Sequence, residues 1–268
     1  FQNPNIDLSW YRPMWKKDKN QIEQIHPFSS YIDNPYIIAY EMQNPSDKNT
    51  LIGSANAIYE FSRKFELLLR TSLEMSHENR CQERPYNTAN YTKGYYREDD
   101  INYLESNTDF LFTYRDQLSK QLGFRASAGG NIRKTEYRNK SGYVIGLVTP
   151  GVYKLSNGIT SPFLNSTNRE KQVNSLYGTI NMNYGKILFL DITGRNDWSS
   201  TLPVLNNSFF YPSASLSGVV SDMVELPEQI SFLKLRASWA QVGNDTDPYK
   251  TSKYYSMSEF SGAALMPR

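Results

Sequence analysis

Three stretches of this chain alternate between apolar and polar residues at every second position. Leu188, Leu190 and Ile192 share one parity, with Asp191, Thr193 and Arg195 on the other. Phe210, Ala214, Leu216 and Gly218 alternate with Ser213, Ser215 and Ser217. Leu233, Leu235, Ala237 and Trp239 alternate with Lys234, Arg236 and Ser238. A β-strand sends successive side chains to opposite faces, so each run predicts a strand with one apolar and one polar face. Charges inside the repeat mean that the second face is wet.

The same pattern recurs upstream. Gly53, Ala55, Ala57, Tyr59 and Phe61 lead through a short break at Ser62–Lys64 into Phe65, Leu67, Leu69, Leu73 and Met75, which reads as a hairpin. Further strands are predicted at 107–114, from Leu122 to about Lys134, at 173–184 and at 187–197. With 209–219 and 233–243 this gives eight antiparallel strands. The connections alternate in length: short near 62, 115 and 185, long over 78–103 and 139–171. Antiparallel strands alternate ends, so the tight turns gather at one end of the sheet and the long loops at the other. Outer-membrane barrels have that asymmetry, and strands of roughly ten residues suit a tilted bilayer crossing. The link 221–231 is the weakest fit, being long at the short-turn end. Tyr59, Phe61, Phe65, Tyr114, Tyr184, Phe209 and Phe210 lie near strand ends, as an interfacial aromatic girdle places them.

The division that follows is an irregular, extracellular loop region over 1–51, a barrel segment over 52–250 and a polar tail or next loop over 251–268. Pro4, Pro13, Pro27, Pro35 and Pro45 interrupt the first of these. No basic and apolar leader opens the chain.

Composition narrows the function. The 268 residues carry 29 basic and 27 acidic groups, a net charge of +2 that gives no reason to expect a nucleic-acid partner. One cysteine, Cys81, excludes an intramolecular disulfide and reads as an incidental loop thiol. Two isolated histidines, His26 and His77, make no metal site. No nucleophile–base pair or carboxylate dyad has supporting context, so no enzyme activity, cofactor or metal is expected. Asn196, Asp197 and Trp198 combine a carboxylate with an indole, a pairing suited to sugars. Tyr95 and Tyr96 lie in a charged aromatic loop that could meet a substrate. For both groups a structural role, as barrel rim or solvated loop, weighs at least as much. Asn244–Asp247 resembles an oxygen-rich cation loop but lacks the glycine and distal glutamate of an EF-hand, and reads as a solvated turn. Gly129 and Gly130 read as a bulge or tight bend.

At this point the chain resembles a known family. ITGRNDWSSTLP (192–203), FFYPSASLSGVVSD (209–222) and LKLRASWAQVGNDTDPY (233–249) look like the barrel of the SusC/RagA-type TonB-dependent outer-membrane transporters of Bacteroidetes. DNPY (33–36), GYYRED from Gly94, ESNTDFLFTY (105–114), GGN (129–131) and YKLSN (153–157) agree in order. The resemblance implies an all-β fold, an internal segment of a barrel of about 22 strands. It also implies import of glycans or peptides, a SusD-like lipoprotein partner, and TonB coupling through an N-terminal part that this stretch lacks. Two readings compete with it: a closed eight-stranded barrel with a structural or adhesive role, and a soluble all-β carbohydrate-binding module.

The parity assignment has a direct test. Leu69→Arg and Leu190→Arg, on the lipid-side parity, are expected to cost about 2–4 kcal/mol each near mid-bilayer. Ser72→Arg and Thr193→Arg are expected to be tolerated. Recovery of each variant in the membrane fraction reads the difference; equal losses would contradict the assignment.

Overall fold

The computed structural model describes residues 6–26, 31–225, 227, 229–251, 255–257 and 265–267. It is almost wholly β. Eight strands, β1 (Ser46–Glu60), β2 (Phe65–Tyr86), β3 (Lys93–Gln117), β4 (Leu122–Ile145), β5 (Phe163–Tyr184), β6 (Leu188–Ser199), β7 (Ser208–Val219) and β8 (Lys234–Ala240), form one sheet in sequence order. No pairing joins β8 to β1 among the described residues. This sets aside the closed eight-stranded barrel. Short strands β9 (Tyr255–Met257) and β10 (Leu265–Pro267) pair separately. The rest of 251–268, beyond Thr251, lies outside the described residues.

Register pairs like with like. Met182, Leu190, Leu216 and Ala237 lie across from one another in one row, and Asn181, Asp191, Ser215 and Ser238 in the next. A slip of one residue would exchange the faces, so the pattern itself fixes the pairing. Tight turns close the hairpins at 61–64 and 118–121, where Phe61 N donates to Phe65 O at 3.0 Å and Leu118 N to Leu122 O at 2.9 Å.

The strands are longer than the alternation predicts. β2, β3, β4 and β5 run 22, 25, 24 and 22 residues. Most of 78–103, expected as a loop, is strand, with a turn at 87–92 in which Asn87 N donates to Thr92 O at 2.9 Å. Segment 139–171 likewise begins and ends as strand. These parts mix polar and apolar residues on both sides, Tyr95 and Tyr96 being buried on opposite ones, so no period-two signal marks them. β8 is shorter than expected: the chain leaves the sheet after Ala240.

Two compact units divide the chain. One comprises Ile52–Glu74, Glu105–Thr135 and Glu170–Arg268, and carries the alternating segments. In it, Gly129 lies where a Cβ would come within 2.4 Å of Phe110 O and 2.9 Å of the Tyr177 ring. Close packing, rather than a bend, explains that glycine.

The other unit comprises Phe1–Leu51, Met75–Leu104 and Glu136–Arg169. Its small core is Tyr96, Val144 and Leu147, with Cys81, Tyr86, Tyr153 and Leu155 packed against it. Cys81 is therefore a half-buried strand residue, not a loop thiol. The N-terminal segment is ordered by buried amides. Gln24 receives the backbone N–H of Asn34 at 2.8 Å and donates to Asp33 Oδ1 at 2.8 Å and to Asn87 O. Asn34 donates to Tyr11 O at 2.9 Å and Ile25 O at 3.1 Å, and caps the short helix α1 (Pro35–Tyr40) by accepting Tyr36 N at 2.9 Å. Both side chains are fully buried. Buried polar groups are retained only when paired, so removing one orphans the others.

Asn34→Ala is accordingly expected to cost this segment about 2 kcal/mol of local stability. Faster tryptic cleavage at Lys16, Lys17 and Lys19 would show it; an unchanged cleavage rate would refute it.

Candidate functional site: a wall with two faces

The apolar face of the sheet is exposed. Phe210 is 59% and Trp239 61% accessible, and Leu69, Phe110, Phe112, Leu176, Ile180, Ile192, Leu216 and Leu235 are exposed beside them. A contiguous apolar surface of this extent does not face water in a soluble protein; it marks an interface. Near the tight turns the face ends in touching rings: Tyr59 on Phe61 at 4.8 Å edge-on, Phe65 on Tyr114 at 4.9 Å and on Phe112 at 5.7 Å, and Tyr114 on Phe124 at 6.2 Å. That is the geometry of an interfacial belt.

The opposite face is polar, and many of its groups are paired with one another. Arg70 Nε and Nη2 donate to Asp109 at 3.1 and 2.7 Å, and Tyr177 Oη lies 3.5 Å from the same carboxylate. The Arg195 guanidinium stands 5.8 Å over the Tyr177 ring and donates to Asp197 Oδ1 at 2.6 Å and Ser175 Oγ at 2.7 Å. Asn181 Nδ2 donates to Asp191 Oδ1 at 2.6 Å, and the Thr193 and Ser213 hydroxyls meet at 2.5 Å. Charge-assisted pairs of this kind hold fixed directions.

The polar unit has its own paired groups. Arg80 donates to both Glu78 oxygens at 2.5 and 3.0 Å, and Ser46 Oγ adds a third bond at 2.7 Å. Arg80, then Ser46, pull the Glu78 carboxyl down to about 2. Arg97 grips Asp99 bidentately at 2.7 and 2.8 Å and holds that carboxyl below its ordinary range.

Of the residues singled out in the sequence, Tyr95 and Tyr96 point to opposite sides of β3. Tyr96 is buried, with its hydroxyl 3.4 Å from Cys81 Sγ and donating to Glu98 at 3.1 Å; burial first, then these neighbours, raise its pKa. Tyr95 is only 9% exposed, stacked on Tyr91 at 4.6 Å and beside Tyr143 at 6.0 Å. Tyr143 stacks on Phe163 at 4.9 Å and 12°, and Phe163 is 55% exposed. Sequence reading missed Tyr143 and Phe163 because they lie where a loop was expected. Asn196 and Trp198 share the apolar parity of β6, and Asp197 the polar one. Asn196 bonds Ser208 Oγ at 2.9 Å and Asp197 is held by Arg195. A ligand on either face would therefore meet Trp198 or Asp197, never the pair. Asp245 is no solvated turn residue: it accepts from Lys171 Nζ and Ser199 Oγ, both at 2.5 Å.

An antiparallel meander with one exposed apolar face, one wet face and touching rings at the tight-turn end defines a segment of a large transmembrane β-barrel. No family profile matches the chain. Over 220 residues it is 27% identical to TonB-dependent receptor P26 of Formosa agariphila, and over 255 residues 25% identical to TonB-dependent receptor P3 of the same organism. Those alignments cover 78% and 87% of this chain but only 22% and 24% of the relatives. In fold it matches the RagAB peptide transporter with a TM-score of 0.75 at 16% identity, over 92% of this chain and 28% of that one; the RagAB importer in its closed-closed state gives 0.74. The chain is thus similar to TonB-dependent receptors, bearing out the SusC/RagA-type resemblance, and spans about a quarter of its relatives' length.

The depressed carboxyl of Glu78 sets a pH dependence. Its folded-state value lies below the ordinary 4.5, so its stabilising contribution is complete above that pH and fades as pH falls toward about 2. The difference in melting temperature between the protein and its Glu78→Gln variant is expected to stay constant from pH 8 to about 5 and to vanish near pH 2. A difference that changed around neutrality would refute the assignment.

Proposed function

We propose that this chain is a length of barrel wall in a TonB-dependent importer of the cell outer membrane, carrying glycans or peptides and working with a SusD-like surface lipoprotein. The observation that carries this reading is the two-faced wall itself: an exposed apolar belt backed by a polar face with paired charges, on a chain similar to TonB-dependent receptors. Apolar side chains on the belt require lipid, while Arg70, Asp109, Arg195 and Asp197 require water or a polar filling. The structural neighbour RagAB is described as a peptide transporter, which makes oligopeptides the first cargo to test. Residues 1–51 are the extracellular part in this reading, and 52–250 the barrel part.

Within it, Tyr95 contributes to substrate contact as the base of a ring stack. Tyr91, Tyr95, Tyr143 and Phe163 stack in sequence, leaving Phe163 as the open end on which a sugar face or an aromatic side chain would rest. Asp197 belongs to the polar wall that the cargo passes.

Uptake of labelled oligopeptides and oligosaccharides by cells with and without the full-length protein tests the reading. One cargo class should lose uptake that a proton-motive-force uncoupler also abolishes. Phe163→Ala should weaken apparent affinity for that cargo about tenfold, the order expected for one lost stacking contact of about 1–1.5 kcal/mol. Uptake indifferent to the protein and to the uncoupler would overturn the proposal.

A further inference from the structure

The segment after β8 does not continue the sheet. Gln241 N still pairs with Pro212 O of β7 at 3.0 Å, but the chain then turns across the polar face. Gly243 passes so close to β7 that a Cβ there would sit 3.0 Å from the Tyr211 ring. Two residues on, Asp245 reaches past β7. One carboxylate oxygen accepts from Lys171 Nζ of β5, the other from Ser199 Oγ of β6, each at 2.5 Å. Ser199 is buried and is itself held by the Thr201 hydroxyl at 2.9 Å. Lys171, Ser199 and Tyr211 all belong to the polar parity, so the crossing lies on the wet side of the wall. Burial alone would raise the Asp245 carboxyl, but the Lys171 and Ser199 bonds outweigh it and hold it below the ordinary range. It is a charged pin at neutral pH.

We propose that residues 241–247 form a strap across the wet face of β7, β6 and β5, pinned by Asp245, which narrows the passage and limits the size of what the importer admits. This inference rests on the importer reading. Asp245 acts as a positioning residue: its partners are both on the wall, so it leaves no charge for cargo and works by where it holds Val242, Gly243 and Asn244. Asn244 and Val242 are exposed, and so form the strap's free side. After Gln241, the Asp245 carboxylate ties the strap to β5 and β6. Losing it frees the strap without removing any pair of the β5–β6 or β6–β7 ladders.

The test places a nitroxide at Asn244→Cys in a Cys81→Ala background of the full-length, membrane-inserted protein. The unsubstituted strap should give an immobilised spectrum. Asp245→Ala and Lys171→Asp should each shift the ratio of immobile to mobile label at least about tenfold toward mobile, which is about 1.4 kcal/mol. Lys171→Asp with Asp245→Lys should restore immobility, which a general folding defect would not allow. In the uptake assay, Asp245→Ala should extend entry to longer oligomers while leaving the shortest ones unchanged. A label that stays immobile in Asp245→Ala overturns the pin. A freed strap with an unaltered size limit overturns the role in selection while leaving the importer reading intact. Failure of all energy-dependent uptake in the unsubstituted protein would overturn the importer reading, and the spectra would still decide the pin.

Discussion

The backbone has to bond itself wherever it meets hydrocarbon. No water is present there to satisfy an N–H or C=O, and each orphan costs several kcal/mol. From Val173 to Ala240 this chain meets that demand across strands, with Tyr184 through Val173 opposite Leu188 through Ser199, then Gly218 through Ser208, then Leu235 through Ala240. Everything else on the wall follows. Once the backbone is extended, side chains must alternate, and a bilayer on one side dictates Leu, Ile, Phe and Trp at every second place. The intervening places are left to polar groups. The same demand applies at β1 and β8, whose outer edges carry no partner strand among the described residues. In a bilayer those edges would have to pair with further strands.

Where lipid is absent, a different economy holds the chain together. The outer parts of β2–β5 bury side chains on both sides of the strand, as Tyr95 and Tyr96 show, and so gain nothing from a period of two. Their order comes from paired charges such as Arg80 on Glu78 and Arg97 on Asp99, from a small cluster around Val144 and Leu147, and from stacked tyrosines. Gln24 and Asn34 do for the N-terminal segment what apolar side chains do elsewhere: fully buried and bonded to four separate stretches of backbone or side chain, they define one arrangement. Such a network is unforgiving, because an amide that loses one partner strands the rest.

This division explains what could be read from the sequence. The strands of the apolar belt were legible because lipid imposes a repeating constraint, and the turns at 61–64 and 118–121 because they interrupt it. The extension of β2 to Tyr86 and of β3 back to Lys93 was not legible, since His77, Asn79, Cys81 and their neighbours obey no repeat. The candidate site was legible only in part. Tyr95 was noticed as an aromatic in a charged stretch, but Tyr143, which lies beside its ring, and Phe163, which stacks on Tyr143, are far away in sequence, and only the order of β3, β4 and β5 brings them together. Asn196, Asp197 and Trp198 show the converse. Adjacency in sequence is opposition in a strand, and alternation that made the fold readable takes Asp197 and Trp198 to different solvents.

The same logic bears on the charges of the wet face. Three of its cations are committed to carboxylates: Arg70 to Asp109, Arg195 to Asp197 and Lys171 to Asp245. A wall with free cations would bind anionic solutes and release them slowly, since an unpaired charge in a confined, partly desolvated passage is a deep trap. Pairing flattens that potential at Arg70, Arg195 and Lys171. It also gives the Asp245 pin a reason to be a salt bridge rather than an apolar contact. An apolar anchor on the wet face would stay solvated at its edges and slip, whereas a carboxylate held at two points by Lys171 and Ser199 fixes the segment's position without leaving an unpaired charge.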